Sequence, residues 1–444
     1  MIPDQQPTPP RPTLDETGSA PAGPYAPTAH RMDPDGGSPH ADNARLLARC
    51  PVTSVVLPGE VPGAAVLGHE ALRDFLAHPD VAKDAAHFAD LREGRIPRGW
   101  PLATFALVRG MTTADGADHR RLRSLVTRGF TGRRVEQLRP RVEQLTESLL
   151  DEVQRAADER RAEGHDEGDG VIDLRRRFAL PLPMGVICEL LGVDAEHQDR
   201  LHHLSNQVVA TRITPEAVLA ANREMVQLLS QVADARRAQP GDDLTSALIA
   251  VREDDGDRLS EEELIGTLLL MIVAGHETTL NLITNAVLAL CTHPDQLALV
   301  RKGGASWADV VEEVLRYDSP VSYFPFRYPV RDVTVGGTTI PAGTPVLAGY
   351  SAAGRDPATH GPDADRFDVT RAAARGAARH LSFGHGAHYC LGAPLARMEA
   401  TIALQRLFGR FPDLQLAAPA DRLDRHASFV GNSVQTLPVR LAPV

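Results

Sequence analysis

Cys390 lies in FGHGAHYCLGAPLA (383–396), a glycine-rich loop that runs directly into an apolar helix. A thiolate opening a helix is favoured by that helix's unpaired amides and positive end, so it is a good ligand for a soft or redox-active metal. Gly384 and Gly386 let the backbone turn tightly, and Gly392 permits close approach to something flat and large. Two other readings stand beside this one. One is an inert core thiol. The other is zinc on His385, His388 and Cys390, although structural zinc wants four ligands in separated pairs and no second cysteine pair exists.

A second constellation is Ala274-Gly275-His276-Glu277-Thr278-Thr279, set inside an apolar helical pattern that runs from Glu261 to Thr292. Glycine, an acid and threonines there cost helix propensity and bury polar groups. Thr278 can bond its hydroxyl to a carbonyl one turn back. The plain reading is a satisfied polar cluster. The chemical one is a place beside a metal that binds a small molecule and supplies protons. Glu313 and Arg316, three apart on one helix face, read alone as an ordinary ion pair. His119 and Arg123 share another face, with Arg120 and Arg121 turned away and solvated. Together with Arg327 and His388, they have the chemistry to hold a dianionic cofactor edge.

The elements that must position these groups are mostly helices. Two short strands and a helix near 69–76 are followed by a long loop, 83–113. Helical patterns then cover 119–161 with a break near Gly132, and afterwards 180–191, 196–209 and 215–237. A rod as long and apolar as 261–292 must run through the centre. A helix at 307–317 and strands around 330–350 precede the helix after Cys390, where Pro394 fits the first turn. The expected fold class is mainly α with a small β-rich region. Met1 to Asp42 reads as a flexible proline-rich lead, and 43–444 as one catalytic domain.

The chain has 444 residues, a net charge of -11 and four scattered cysteines. That charge argues against a generally nucleic-acid-binding surface, and the cysteine spacing against a disulfide scaffold. The apolar stretch Leu264–Gly275 is too short to span a bilayer. The expectation is a cytoplasmic protein with no membrane anchor, and a monomer.

On these residues the chain resembles the cytochrome P450 family over about residues 45–444. FGHGAHYCLG is similar to the family's haem-ligand loop, AGHETT to its oxygen-activation segment, and Glu313–Arg316 to its ExxR pair. AGRDP (353–357) resembles its arginine–asparagine turn, with Gly354 where asparagine is usual. The resemblance implies haem b between the central helix and the helix after Cys390. Cys390 would be the axial thiolate and metal ligand, shielded by Phe383 and approached through Gly392. Thr278 and Glu277 would deliver protons, beside Ala274 and with Gly275 making room for oxygen. His119, Arg123, Arg327 and His388 would anchor the propionates, while Glu313, Arg316 and Arg366 would be structural.

A cysteine thiolate on haem iron favours O–O cleavage, so the implied activity is monooxygenation, by C–H hydroxylation or epoxidation. Peroxide-driven turnover, oxidative coupling of an aromatic substrate and a non-enzymatic haem sensor are the alternatives. The first usually lacks the acid–threonine pair that this chain keeps. The sensor would explain the loop but not the polar segment in the rod. Electrons would come from a ferredoxin and its reductase, with Arg371, Arg375 and Arg379 as a candidate docking patch beside the reading of a plain solvated cluster. Met271, Ala274, Val321, Phe324, Phe429 and Val430, with the 83–113 and 201–215 segments, would line a hydrophobic pocket. GWPLATFALVRGMTTADGADHRRLR and FPFRYPVRD resemble a streptomycete-type subgroup acting on macrolides and other polyketides, or on steroids.

Overall fold

The computed structural model describes residues 29–34, 39–97, 99–107, 109–162, 170–209, 214–251, 258–374 and 379–441. Labelled in chain order, the elements that matter are strand β1 (His30–Arg31), helix α1 (Pro39–Leu47), strands β2 (Val52–Leu57) and β3 (Val61–Val66), helix α2 (His69–Ala77) and strand β4 (Val81–Ala82). Then come helices α3 (Gly116–Gly129), α4 (Arg139–Ala162), α5 (Pro181–Leu191), α6 (Gln198–Val209), α7 (Pro215–Ala238), α8 (Leu244–Ala250), α9 (Glu261–Thr292), α10 (Pro294–Arg301) and α11 (Trp307–Tyr317). Strands β5 (Tyr323–Pro329), β6 (Val333–Val335), β7 (Thr338–Ile340) and β8 (Val346–Gly349) follow, then helix α12 (Ala393–Arg410).

Central helix α9 starts where Ser260 and Glu263 form a reciprocal capping box, with three acids in its first turn complementing the helix dipole. It buries residues from Leu264 to Leu290 on several sides and packs against α5, α7, α11 and α12. The helix continues unbroken through 274–279, and within that turn Thr278 Oγ1 donates back to the Ala274 carbonyl at 2.7 Å. By length and composition it could cross a membrane, contrary to the expectation drawn from Leu264–Gly275 alone. Other helices of the chain cover it instead. A similar capping box, Ser306 with Asp309, opens α11.

Beside the helices lies a six-stranded sheet in the order β1-β2-β3-β8-β5-β4. β2 and β3 are antiparallel with Val55 opposite Gly63, and β3 and β8 are parallel with Ala65 opposite Leu347. Parallel pairing of β1 with β2 and the presence of α1 shorten the expected lead: His30–Arg31 and Pro39–Asp42 belong to the folded body. Residues 1–28 lie outside the described residues. The segment 83–113 is not one long loop, since Ala89–Arg92 and Ala103–Leu107 are short helices.

Candidate active site

The Cys390 loop is closed by its own backbone. The Cys390 amide donates to the Phe383 carbonyl at 2.9 Å, Gly384 to Leu381 at 2.7 Å, and Tyr389 to Gly386 at 3.1 Å. Gly384 and Gly386 take φ of +75° and +74°, as the tight turns require. Cys390 is surface-accessible yet set deep among protein atoms. Burial pushes its thiol up, while the amides of Gly392 and Ala393, then Arg123 and Arg397, pull it down. Burial wins, so helix amides alone do not make a free thiolate here. Phe383 packs its ring 5.8 Å from His380, with the Arg397 guanidinium 4.5 Å from the ring centroid. Among the described residues no cluster of three His, Cys, Asp or Glu side chains could hold a metal ion, which removes the zinc reading.

Above the loop, the four predicted anchoring residues do converge. Arg123 on α3 donates to the Tyr389 carbonyl at 2.7 Å. The His119 and His388 rings lie 4.0 Å apart, and His119 Nε2 is buried without a partner. Burial, then His388 and Arg123, bring His119 down to about 4. Arg327 on β5 is 7% exposed, and its side chain makes no hydrogen bond or ion pair with a described residue, although it lies within electrostatic reach of His388 and Lys83. Two members of this group were missed. Lys83 is buried, donates to the Phe326 carbonyl at 2.8 Å and is brought down to about 7 by burial, then Arg327. Asp115 accepts the amides of Lys83 and Asp84 and lies 3.9 Å from His388. A lone lysine carries no sequence signal, but Asp115 one turn before His119 does. Arg121, expected in solvent, pairs instead with Glu263.

On α9, Ala274 is exposed while Met271 and Thr278, on the same face, are half-buried. Gly275 does not face that side. A Cβ there would sit 3.0 Å from Ile187 Cδ1, so the glycine lets α5 cross closely, and the expectation that it makes room for oxygen is corrected. Glu277 turns to the flank, with Oε1 3.5 Å from Arg175 Nη2.

Glu313 and Arg316 are no surface pair, being 1% and 3% exposed. Arg316 donates twice to Glu313, at 2.8 and 2.7 Å, and to the carbonyls of Gly354, Ala364 and Arg366 at 2.7, 2.6 and 2.9 Å. Every guanidinium hydrogen therefore has an acceptor. Arg366 takes part only through its carbonyl, its side chain being exposed, which corrects the role expected of it. Arg371 fills that place instead, 3.0 Å from Asp363 and 3.8 Å from Glu313. It is thus committed inside the protein rather than to a docking patch, and Arg375 lies outside the described residues. Gly354 is required: a Cβ would fall 2.1 Å from the Arg316 carbonyl oxygen. The neighbouring Glu312, unnoticed in the sequence, bonds His380 and Arg397 and so ties α11 to the Cys390 loop.

Of the expected pocket residues, Val321 bridges Gly431, and the Val430 carbonyl accepts from Ser322 at 2.8 Å, so those two segments do meet. Phe324 is 38% exposed with the Lys83 ammonium 5.1 Å from its ring. Phe429, by contrast, is 3% exposed and packed in the core with Phe326 and Ala352. Residues 210–213 of the 201–215 segment lie outside the described residues.

A thiol loop in front of a helix, a collar of cationic and imidazole groups and a polar turn in a central helix define a haem-thiolate oxygenase. The cytochrome P450 family description matches residues 206–302 and 308–433, and the chain belongs to that family. It is 40% identical to 2-hydroxy-5-methyl-1-naphthoate 7-hydroxylase of Streptomyces carzinostaticus, covering 93% of this chain and 97% of that protein. It is 45% identical to 6-deoxyerythronolide B hydroxylase of Saccharopolyspora erythraea, covering 74% and 78%. The solved structure of CYP154C4 from Streptomyces sp. W2061 superposes with a TM-score of 0.86 at 42% identity, covering 94% and 98%. The chain is accordingly a haem b-dependent monooxygenase.

Proposed function

We infer that this chain hydroxylates or epoxidises a macrolide or other polyketide skeleton, with Cys390 as the axial ligand of its haem. The supporting observation is the buried Arg327, whose side chain has no hydrogen-bond or ion-pair partner among the described residues and lies within electrostatic reach of His388, beside His119 and Arg123. That donor set fits a flat group with two carboxylates and a thiolate-bound metal. Naphthoate and 6-deoxyerythronolide B hydroxylases among the relatives support the substrate class.

Haem, when bound, supplies redox chemistry that thiolate donation tilts towards O–O cleavage. Thr278 commits its hydroxyl proton to the Ala274 carbonyl and so presents oxygen lone pairs to the open face of α9. From there it accepts hydrogen bonds from water and holds it in place, and that water carries the protons that Glu277 brings from the flank. Met271, Ala274 and Phe324 offer apolar surface to the substrate. Electrons come from a ferredoxin and its reductase, and the chain acts in the cytoplasm as a monomer.

Reduced protein under carbon monoxide should absorb near about 450 nm. A band near about 420 nm in fresh, active material would refute the thiolate assignment. Macrolides and other polyketides should move the haem Soret band to shorter wavelength. A shift with steroids alone would replace the substrate class.

A further inference from the structure

Glu277 has a second neighbour that the resemblance does not involve. His276 is 0% exposed, and its Nε2 lies 2.9 Å from Nδ1 of His202 on α6. Their rings meet edge-on, 5.0 Å apart at 87°, a geometry that admits a single N–H···N bond between the facing nitrogens. His276 Nε2 is also 3.7 Å from Glu277 Oε2, whose other oxygen faces Arg175. Arg175 in turn donates to Asn281 on α9 at 3.0 Å. The carboxylate is thus held between a helix-crossing imidazole pair and a buried guanidinium.

We propose that the His202–His276 bond ties α6, which carries residues 201–209 of the expected pocket segment, to Glu277, so that seating of this helix positions the proton-carrying carboxylate. This rests on the reading that Glu277 carries protons. His202 and His276 are positioning residues, since they act through Glu277.

The bond needs a proton on one facing nitrogen and a lone pair on the other, so a neutral pair makes it and a doubly protonated pair cannot. Burial lowers both rings, His276 to about 4. The charged and titratable groups around them are Glu277 on α9, Asp199 and His203 on α6, and Arg175 before α5. His426 also faces Glu277 and Arg175 from the C-terminal segment. Arg175 and His203 act against protonation of the pair, and the carboxylates favour it. At neutral pH the bond stands, and acid opens it.

His202→Phe in the haem-loaded full chain is the test, with His202→Gln, which keeps a side-chain N–H, as the conservative variant. In the Phe variant, amides of 198–209 should exchange hydrogen about fivefold faster. Product per NAD(P)H should fall by a similar factor and lose its decline towards acid, while substrate affinity, read from the Soret shift, changes little. The Gln variant should recover both properties. Unchanged exchange and coupling in His202→Phe would overturn the tie. Loss of affinity in proportion to coupling would also overturn it, reducing His202 to a pocket wall. Glu277→Gln tests the underlying reading separately: parental coupling there, with faster exchange in His202→Phe, would refute proton carriage by Glu277 and leave only the helix tie.

Discussion

The two sides of the Cys390 loop bury cations in opposite ways. Around Arg316, each guanidinium hydrogen finds an oxygen of the same chain. In the collar above, Arg327 has no described partner, Lys83 reaches only one carbonyl, and His119 Nε2 is orphaned. A buried charge without a partner is costly, so the first arrangement is complete as protein, while the second keeps unmet donors that the anionic cofactor edge we propose there would satisfy. Structural and binding arginines can therefore be told apart by counting acceptors.

The sharpest way to break this comparison is to remove one cation from each side. Arg316→Met takes both guanidinium bonds from buried Glu313, leaving it the Asp368 amide and Arg371 at 3.8 Å, and should cost about 3–5 kcal/mol in denaturant unfolding. Arg327→Met removes an unpaired charge, so haem-free protein should unfold no more easily than the parent. Its haem retention should nevertheless fall about tenfold. Equal destabilisation by both would erase the distinction. Gly354→Ala presses a methyl onto the Arg316 carbonyl and should cost about 1–3 kcal/mol.

Titration separates the two sides further. Burial pushes the Glu312 carboxyl up, but hydrogen bonds from His380 and Arg397 outweigh it and bring the group down to about 2. Its stabilisation is present above the free-chain value of 4.5 and is lost as pH falls through about 2. Lys83, brought down to about 7 from 10.5, has the same sign in a higher window, but there folding disfavours the charge instead of favouring it. Across that window the folded haem-free protein binds fewer protons than the unfolded chain, so its stability rises with pH. Melting temperatures of haem-free parent and Lys83→Met between pH 7 and 10 should show that rise only in the parent.

Elements with strong periodicity and caps were legible to the residue: α9 and α11 begin and end where the pattern places them. β5 was not, because FPFRYPV carries two prolines and no clean alternation, and its strand character comes from pairing with β8 and β4. In the site, residue type and motif led to residues that the structure does place together: Cys390 before α12, Thr278 on the open face of α9, and His119, Arg123 and His388 beside the loop, while their roles remain our proposal. What escaped was direction. Gly275 faces Ile187 rather than the open side, and Phe429 is in the core, because which neighbour crosses a helix or covers a strand is a tertiary fact. Lys83 escaped for the same reason: nothing local marks a lysine that the sheet will bury beside Arg327.

The smallest expected effect tests that lesson most directly. Arg366 was carried over by resemblance as a third structural cation beside Glu313 and Arg316, yet only its carbonyl is used and its side chain is exposed. Arg366→Ala keeps that carbonyl in place, so unfolding free energy should stay within about 0.5 kcal/mol of the parent. Arg371→Ala removes the guanidinium that lies beside Asp363 and Glu313 and should cost clearly more in the same measurement. If the order were reversed, the side chain of Arg366 would have to reach the buried pair in solution. Acceptor counting would then fail as a guide to which arginines hold this fold together.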